Sequence, residues 1–257
     1  MFVSKYNPPK SRGLYVPFSE KTFKLSRTGI ELYVNCPKCF YLDKRLGVAR
    51  PPSFPFNLNN AVDTLLKKEF DMHRSAGSAH PLMEHYGINA RPFKHEEMDK
   101  WRTSLQQGIS FLHEPTNLLI RGGVDDVWED DNGKLIIVDY KATSKNGPVS
   151  IHAPWQNAYK RQMEVYQWLF RQNGFEVSDI GYFVYCNGKT DVEAFDARLE
   201  FDVDVLAYKG KTDWIENTLW NIKNCLEENS IPQSGKYCDY CKYRAAASDV
   251  LIKHPLA

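Results

Sequence analysis

No apolar run in this 257-residue chain approaches the ~18 residues that a membrane-spanning helix needs. Its first residues, MFVSKYNPPKSRG, lack the apolar centre of a secretory signal. Both absences point to a cytoplasmic protein with no membrane partner. Net charge is also nearly missing, since 33 Lys and Arg face 32 Asp and Glu for a formal +1. A nucleic-acid ligand would therefore have to be held by a local basic patch rather than by the field of the whole chain. Cysteine is sparse. Six in a chain this long exclude a disulfide framework, and four of them fall in two Cys-x-x-Cys pairs, a spacing that points to metal binding. No internal repeat or low-complexity segment occurs. Gly188-Lys189-Thr190 and Gly210-Lys211-Thr212 lack the earlier glycine of a phosphate-binding loop, so ATPase activity has no support. His85, His95 and His113 show no ligand spacing.

What is present fits an ordinary globular protein, 42% hydrophobic and 25% charged, long enough to bury a sizeable core. Residues 1–25, with Pro8, Pro9 and Pro17, read as an irregular arm, and residues 26–257 as one domain. Ser26 suits the cap of a helix through Val34, and Pro37 the first turn of a second one ending at Arg45. Pro51, Pro52 and Pro55 break the chain. The spacing of Leu58, Val62, Leu65, Leu66 and Phe70 predicts a helix to about His73. Short helices are expected around Leu82 and over His95 to Trp101, and a strand over Gly108 to His113. Trp155, Tyr159, Gln162, Met163, Tyr166, Leu169 and Phe170 mark one face of a long helix stopped by Gly174. Strands follow at Ile180 to Cys186 and Arg198 to Leu206, then an amphipathic helix from Gly210 to Glu228 and a short helical tail. This order predicts an α/β or α+β fold with a mixed central sheet flanked by helices.

The stretch Leu118 to Lys145, LLIRGGVDDVWEDDNGKLIIVDYKATSK, is the centre of the pattern. Two apolar-rich runs, Leu118 to Trp128 and Lys134 to Tyr140, flank Asp130-Asp131-Asn132-Gly133, which predicts an antiparallel hairpin. Alternation puts Asp139 and Lys141 on one face of their strand and Tyr140 on the other. A two-residue loop would set Asp126 opposite Asp139, and a three-residue loop would set Asp125 there. One residue of slip exchanges the faces. The acids and lysine form either a salt-bridged surface ladder or a metal site with a catalytic ammonium. Gln162 and Tyr166, four residues apart, share a helix face.

Gly-Val-Asp-Asp followed by Val-Asp-Tyr-Lys-Ala-Thr resembles the core of the PD-(D/E)XK nucleases, and more narrowly their RecB-type branch, which includes the CRISPR-associated RecB-like nucleases. The resemblance extends to Leu25 to Gly47, Leu58 to Phe70, Trp155 to Phe170 and Tyr237 to Arg244, in the same order. It implies a restriction-endonuclease-like core that hydrolyses DNA phosphodiesters with Mg²⁺ or Mn²⁺, in repair, recombination or defence. Asp125 falls on the family's first Asp, Asp139 on the second and Lys141 on its lysine, while Asp126 stands where the family usually has Arg. Gln162 and Tyr166 match the branch's Gln-x-x-x-Tyr helix. Asp63 stands where a metal-binding His is often found, with Glu69 as a further candidate.

Cys36, Cys39, Cys238 and Cys241 lie in segments that resemble the branch's two cysteine motifs, and they are expected to converge on one metal centre joining the ends of the chain. Two symmetric pairs suit tetrahedral Zn²⁺ or a 4Fe–4S cubane. The resemblance favours the iron–sulfur cluster, although Ala247 stands where the last family cysteine is expected. Cys186 and Cys225 read as core. The rival to a DNA nuclease is a non-catalytic nucleic-acid-binding or scaffold protein on the same fold. A third reading is a zinc-stapled protein whose hairpin acids are ordinary surface charges. A protein partner such as a helicase stays open.

Overall fold

The computed structural model describes residues 6, 8–52, 57–103 and 107–254. The first five residues and Asn7 of the expected arm, and the break at Pro55, lie outside them. In chain order the elements are β1 (Phe23–Ser26), α1 (Arg27–Asn35), α2 (Pro37–Lys44), α3 (Asn57–Ala76), α4 (Pro81–His85), β2 (Ala90–Pro92), α5 (Met98–Arg102), β3 (Ile109–His113), β4 (Leu118–Gly122), β5 (Asp126–Asp130), β6 (Leu135–Thr143), α6 (Asn157–Gln172), β7 (Ile180–Gly188), β8 (Phe201–Lys209), α7 (Trp214–Glu227) and α8 (Asp239–Lys253). The expected mixed α/β architecture is present. Two compact units can be distinguished. One comprises Met1–Phe54, Leu112–Leu119 and Trp214–Ala257, the other Pro55–Phe111 and Ile120–Asp213.

The larger unit is built on a five-stranded sheet in the order β2-β5-β6-β7-β8. Neighbours run antiparallel except β6 and β7, which are parallel and are connected through α6. A parallel pair requires such a crossover, because a tight turn can only reverse the chain. On one face Leu66 and Phe70 of α3 pack with Trp128, Ile136, Val138, Tyr140 and Val184. Each such side chain contributes roughly 1.5–3 kcal/mol when fully buried. On α6, every residue from Met163 to Phe170 is buried. Gly181 lets α6 close on β7, since a Cβ there would come within 2.4 Å of Met163 Sδ.

The hairpin loop is the three-residue one. Asp130 pairs with Lys134 through its N–H at 3.0 Å, and Gly133 takes a φ of 79°, which glycine adopts without steric cost. The Asp130 carboxylate accepts from the N–H groups of Asn132 and Lys134, both at 2.9 Å, and locks that loop.

Several expectations need correction. The run Leu118 to Trp128 is not one strand. It breaks after Gly122, because Val124 N donates to Trp101 O at 3.1 Å instead of to a ladder, and the chain re-enters pairing only at Asp126. β4 belongs instead to a separate three-stranded sheet in the order β1-β4-β3. The strand expected at Arg198 starts at Phe201 and continues to Lys209. The helix expected from Gly210 starts at Trp214. Gly210 serves a close approach, its N–H bonding Asp179 O at 2.8 Å while a Cβ would meet Gln167 Oε1 at 2.0 Å.

In the smaller unit Ser26 caps α1, its hydroxyl accepting from Gly29 N at 3.1 Å. Pro37 opens α2, as its fixed φ and missing N–H favour. α7 buries Ile215, Leu219, Ile222 and Leu226. The Tyr41 hydroxyl donates to Glu228 O at 2.9 Å, tying α2 to the segment after α7.

Candidate active site and cysteine centre

β5 and β6 bring the acids together. Asp126 lies opposite Val138 and Val127 opposite Ile137, so the next step of the register sets Asp125 against Asp139. Tyr140 N donates to Asp125 Oδ2 at 3.0 Å and fixes that carboxylate beside β6. Alternation sends the Tyr140 side chain to the other face, where its hydroxyl donates to Asp126 Oδ2 at 2.7 Å. Neighbouring acids therefore have separate surroundings.

Asp139 is fully buried. A carboxylate without water persists only when it is paired and hydrogen-bonded. Gln162 Nε2 donates to Asp139 Oδ1 at 2.7 Å, and the Lys141 ammonium forms an ion pair with Oδ2. That ammonium also lies 4.5 Å from the centre of the Tyr159 ring, a cation–π distance. Lys67 Nζ is 2.8 Å from Asp63 Oδ2 and 3.7 Å from Asp125 Oδ1, so Asp63 and Asp125 share one cation. Glu69 instead meets His80 Nε2 at 2.9 Å. Tyr166, one turn beyond Gln162, is only 3% exposed.

Behind Asp125 lies a dense charge network. Fully buried Asp126 accepts from Arg74 and, at 2.9 Å, from Arg102 Nη2. Both arginines also engage Asp71, Arg102 through one nitrogen, Nη1, at 2.9 Å from each carboxylate oxygen. Burial opposes the Arg102 charge, yet the Asp126 and Asp71 carboxylates outweigh it and raise its pKa. Burial and the charge of Asp126 hold the Tyr140 phenol well above its ordinary pKa, so it remains a donor. Arg102 Nε donates to Asp125 O at 3.2 Å, which fastens the Asp125 backbone to this network.

The four cysteines converge, as expected. Cys36, Cys39, Cys238 and Cys241 place their sulfurs within 4.8 Å of one another, three separations being 3.5, 3.6 and 3.7 Å. A single metal at ~2.3 Å from four sulfurs would set them about 3.8 Å apart. Cys36 caps α2, accepting from Cys39 N at 3.4 Å, and it accepts again from Gly235 N at 3.2 Å. Burial resists ionisation of Cys36, but these N–H groups bring its pKa down to about 6. Cys39 and Cys241 are pushed up, first by burial and then by the neighbouring sulfurs. Four thiols this close cannot all ionise without a cation, and a bound metal supplies one. Arg50 Nη2 donates to Cys238 Sγ at 3.2 Å and stacks 4.6 Å over Tyr240.

The sequence matches the family model of the PD-(D/E)XK nuclease superfamily over residues 24–246. The chain belongs to that superfamily. A solved structure titled "Crystal structure of SSO0001" is similar at 16% identity with a TM-score of 0.41, covering 90% of this chain and 87% of that one. No curated protein matches it. Membership in the PD-(D/E)XK superfamily supports a nuclease-type function with nucleic acid as ligand, and enzymes of this superfamily typically use divalent metals. The donor set here fits such an ion. Mg²⁺ takes hard oxygens and is commonly held by one or two carboxylates, with waters and phosphates completing the shell. Apart from the cysteines, no group of three or more ligating side chains is close enough to hold an ion unaided among the described residues.

Sequence reasoning missed Lys67, Tyr159, Arg74, Arg102, Arg50 and Gly235. Lys67 stands four residues after Asp63 and was legible as a helical ion pair. The arginines meet Asp126 from 52 and 24 residues away, separations that carry no local signal.

Proposed function

We propose that the protein is a Mg²⁺- or Mn²⁺-dependent deoxyribonuclease of the RecB-like exonuclease type, with residues 26–257 acting as one nuclease domain. The observation that carries this reading is the assembly of Asp139, Lys141 and Gln162 on one sheet face, with Asp125 across from Asp139. Asp125 and Asp139 are the metal carboxylates, and Asp63 is the further acid nearest them through Lys67. A divalent ion there supplies Lewis-acid charge to the scissile phosphate. Gln162 holds the Asp139 carboxylate in one orientation. Lys141 exchanges its carboxylate partner for a phosphoryl oxygen and neutralises charge that builds in the transition state. Tyr166 supports the helix that delivers Gln162. The Asp126 network keeps the Asp125 backbone from yielding when the neighbouring charge changes.

For the cysteine centre, three sulfur separations of 3.5 to 3.7 Å, with all four sulfurs within 4.8 Å, support one zinc ion over the iron–sulfur cluster favoured by the resemblance. A cubane carries each thiolate on a different iron and needs a wider set of sulfurs.

The test is incubation of purified protein with end-labelled single- and double-stranded DNA in Mg²⁺, Mn²⁺ or EDTA. Metal-dependent shortening of the label is expected. The rival reading of a non-catalytic nucleic-acid-binding protein on the same fold predicts retention of intact DNA under every condition.

A further inference from the structure

Trp155 is 64% exposed on a short 3-10 turn, Pro154–Gln156, at the start of α6. An indole left in water is unusual, and this one is held in place. Buried Gln156 bonds the turn on three sides, donating to Ser150 O at 2.5 Å and to the Tyr185 hydroxyl at 3.3 Å while accepting from Ala153 N at 2.9 Å. Tyr159, one turn into the helix, meets Trp155 edge to face at 5.5 Å and 83°. Together they wall a cleft of about 300 Å³ that also includes Lys141, Lys145, Gln156 and Tyr185. Its lining contains two lysines and no acid. Lys141 and Tyr159 also line a second cleft, of about 220 Å³, that contains Asp63. The aromatic cleft thus adjoins the proposed nuclease site, with Lys141 and Tyr159 on the shared wall.

We infer that the Trp155–Tyr159 cleft is a nucleobase-stacking subsite, which takes one unpaired base of a DNA single strand whose adjoining phosphates lie at Lys141 and Lys145. Three features select this occupant. Rigid aromatic faces suit a flat heterocycle, the lysines suit the phosphodiester backbone, and the cleft opens beside the residues proposed to act on that backbone. A base inside a duplex already has both faces covered, so only an unpaired base reaches the indole. The inference rests on the nuclease reading, and it specifies the substrate as a single strand or a frayed end.

Binding measured without added Mg²⁺ or Mn²⁺, and without a chelator that would strip the cysteine centre, separates the two ideas, because no turnover is needed. The probes are a fluorescent oligothymidylate, an abasic strand of the same length and a blunt duplex, all at one salt concentration. Trp155→Ala should weaken oligothymidylate binding by about 5-fold or more, as loss of one stacking partner does, with the abasic strand and duplex within about 2-fold of the parent. Trp155→Phe should restore most of the affinity. The side chain is largely exposed, so the fold is not at risk. Equal binding of oligothymidylate by parent and Trp155→Ala overturns the inference, as does no binding by the parent or an equal loss on all three probes. Absence of cleavage in Mg²⁺ with the stacking effect intact would instead strike only the nuclease reading.

Discussion

The two candidate metal sites of this protein solve the problem of buried charge in opposite ways. Around the carboxylates, the chain supplies its own cations: Lys141 on Asp139, Lys67 between Asp63 and Asp125, Arg74 and Arg102 on Asp126. Around the cysteines it supplies one side-chain cation, Arg50, together with the N–H groups of Cys39 and Gly235. The first site holds most of its counter-charge before any ion binds, with Asp63 and Asp125 sharing Lys67, so an ion there would affect chemistry more than folding. The second is a set of donors whose thiolates would need a metal to neutralise them, so an ion bound there would be part of the fold.

The cysteine site sharpens the contrast most. Metal at a structural thiolate site contributes about 10–16 kcal/mol in small zinc peptides, comparable to the whole stability of a domain. Cys238→Ser is expected to lose the metal and to unfold the smaller unit, seen as a lost or greatly lowered thermal transition. Retention of both metal and transition would break the comparison. Next in size is Asp126→Asn, which leaves Arg74 and Arg102 short of a buried counter-charge and is expected to cost roughly 3–5 kcal/mol in urea unfolding. An unchanged midpoint would show the network to be dispensable.

At the carboxylate site the expected effect is on rate. Asp139→Asn keeps an oxygen for Gln162 and removes the charge, so cleavage should fall at least about 100-fold, the scale seen when one transition-state electrostatic group is deleted. Its melting temperature should stay within a few degrees of the parent's. A large loss of stability with it would mean that the acids are structural after all. The smallest effect is reserved for the loop that sets the register. Gly133→Ala forces a side chain into a φ of 79° and should cost about 1 kcal/mol of stability without changing which acid faces Asp139.

The hairpin was legible because its determinants are local, Asp130 and Gly133 lying within the loop they shape, but the sequence left both registers open and only the family resemblance pointed to Asp125. Gln162 was legible from helical spacing, and the cysteine centre from two short motifs. The break at Gly122 was not. Apolar residues recur on both sides, Leu118 to Ile120 before it and Val124 after it, and the interruption comes from Trp101, which takes the N–H of Val124 from another element. Asp126 was read as a departure from the family pattern. Its environment depends on two arginines brought in by α3 and α5, a tertiary fact without a sequence period. Trp155 and Tyr159 were read with Met163, Leu169 and Phe170 as one face of a helix, yet Trp155 is mostly exposed and Tyr159 reaches Lys141. Periodicity identifies a stripe on a helix but does not say where the neighbouring layer ends.

The most direct test measures both sites in one preparation. Parent and Asp139→Asn are incubated with end-labelled single-stranded DNA in Mn²⁺, and zinc is quantified in the same samples. The account predicts that the parent shortens the DNA, that the variant does not, and that each carries one zinc per chain. Cleavage by the variant at the parent rate, or loss of zinc along with the Asp139 charge, would contradict it.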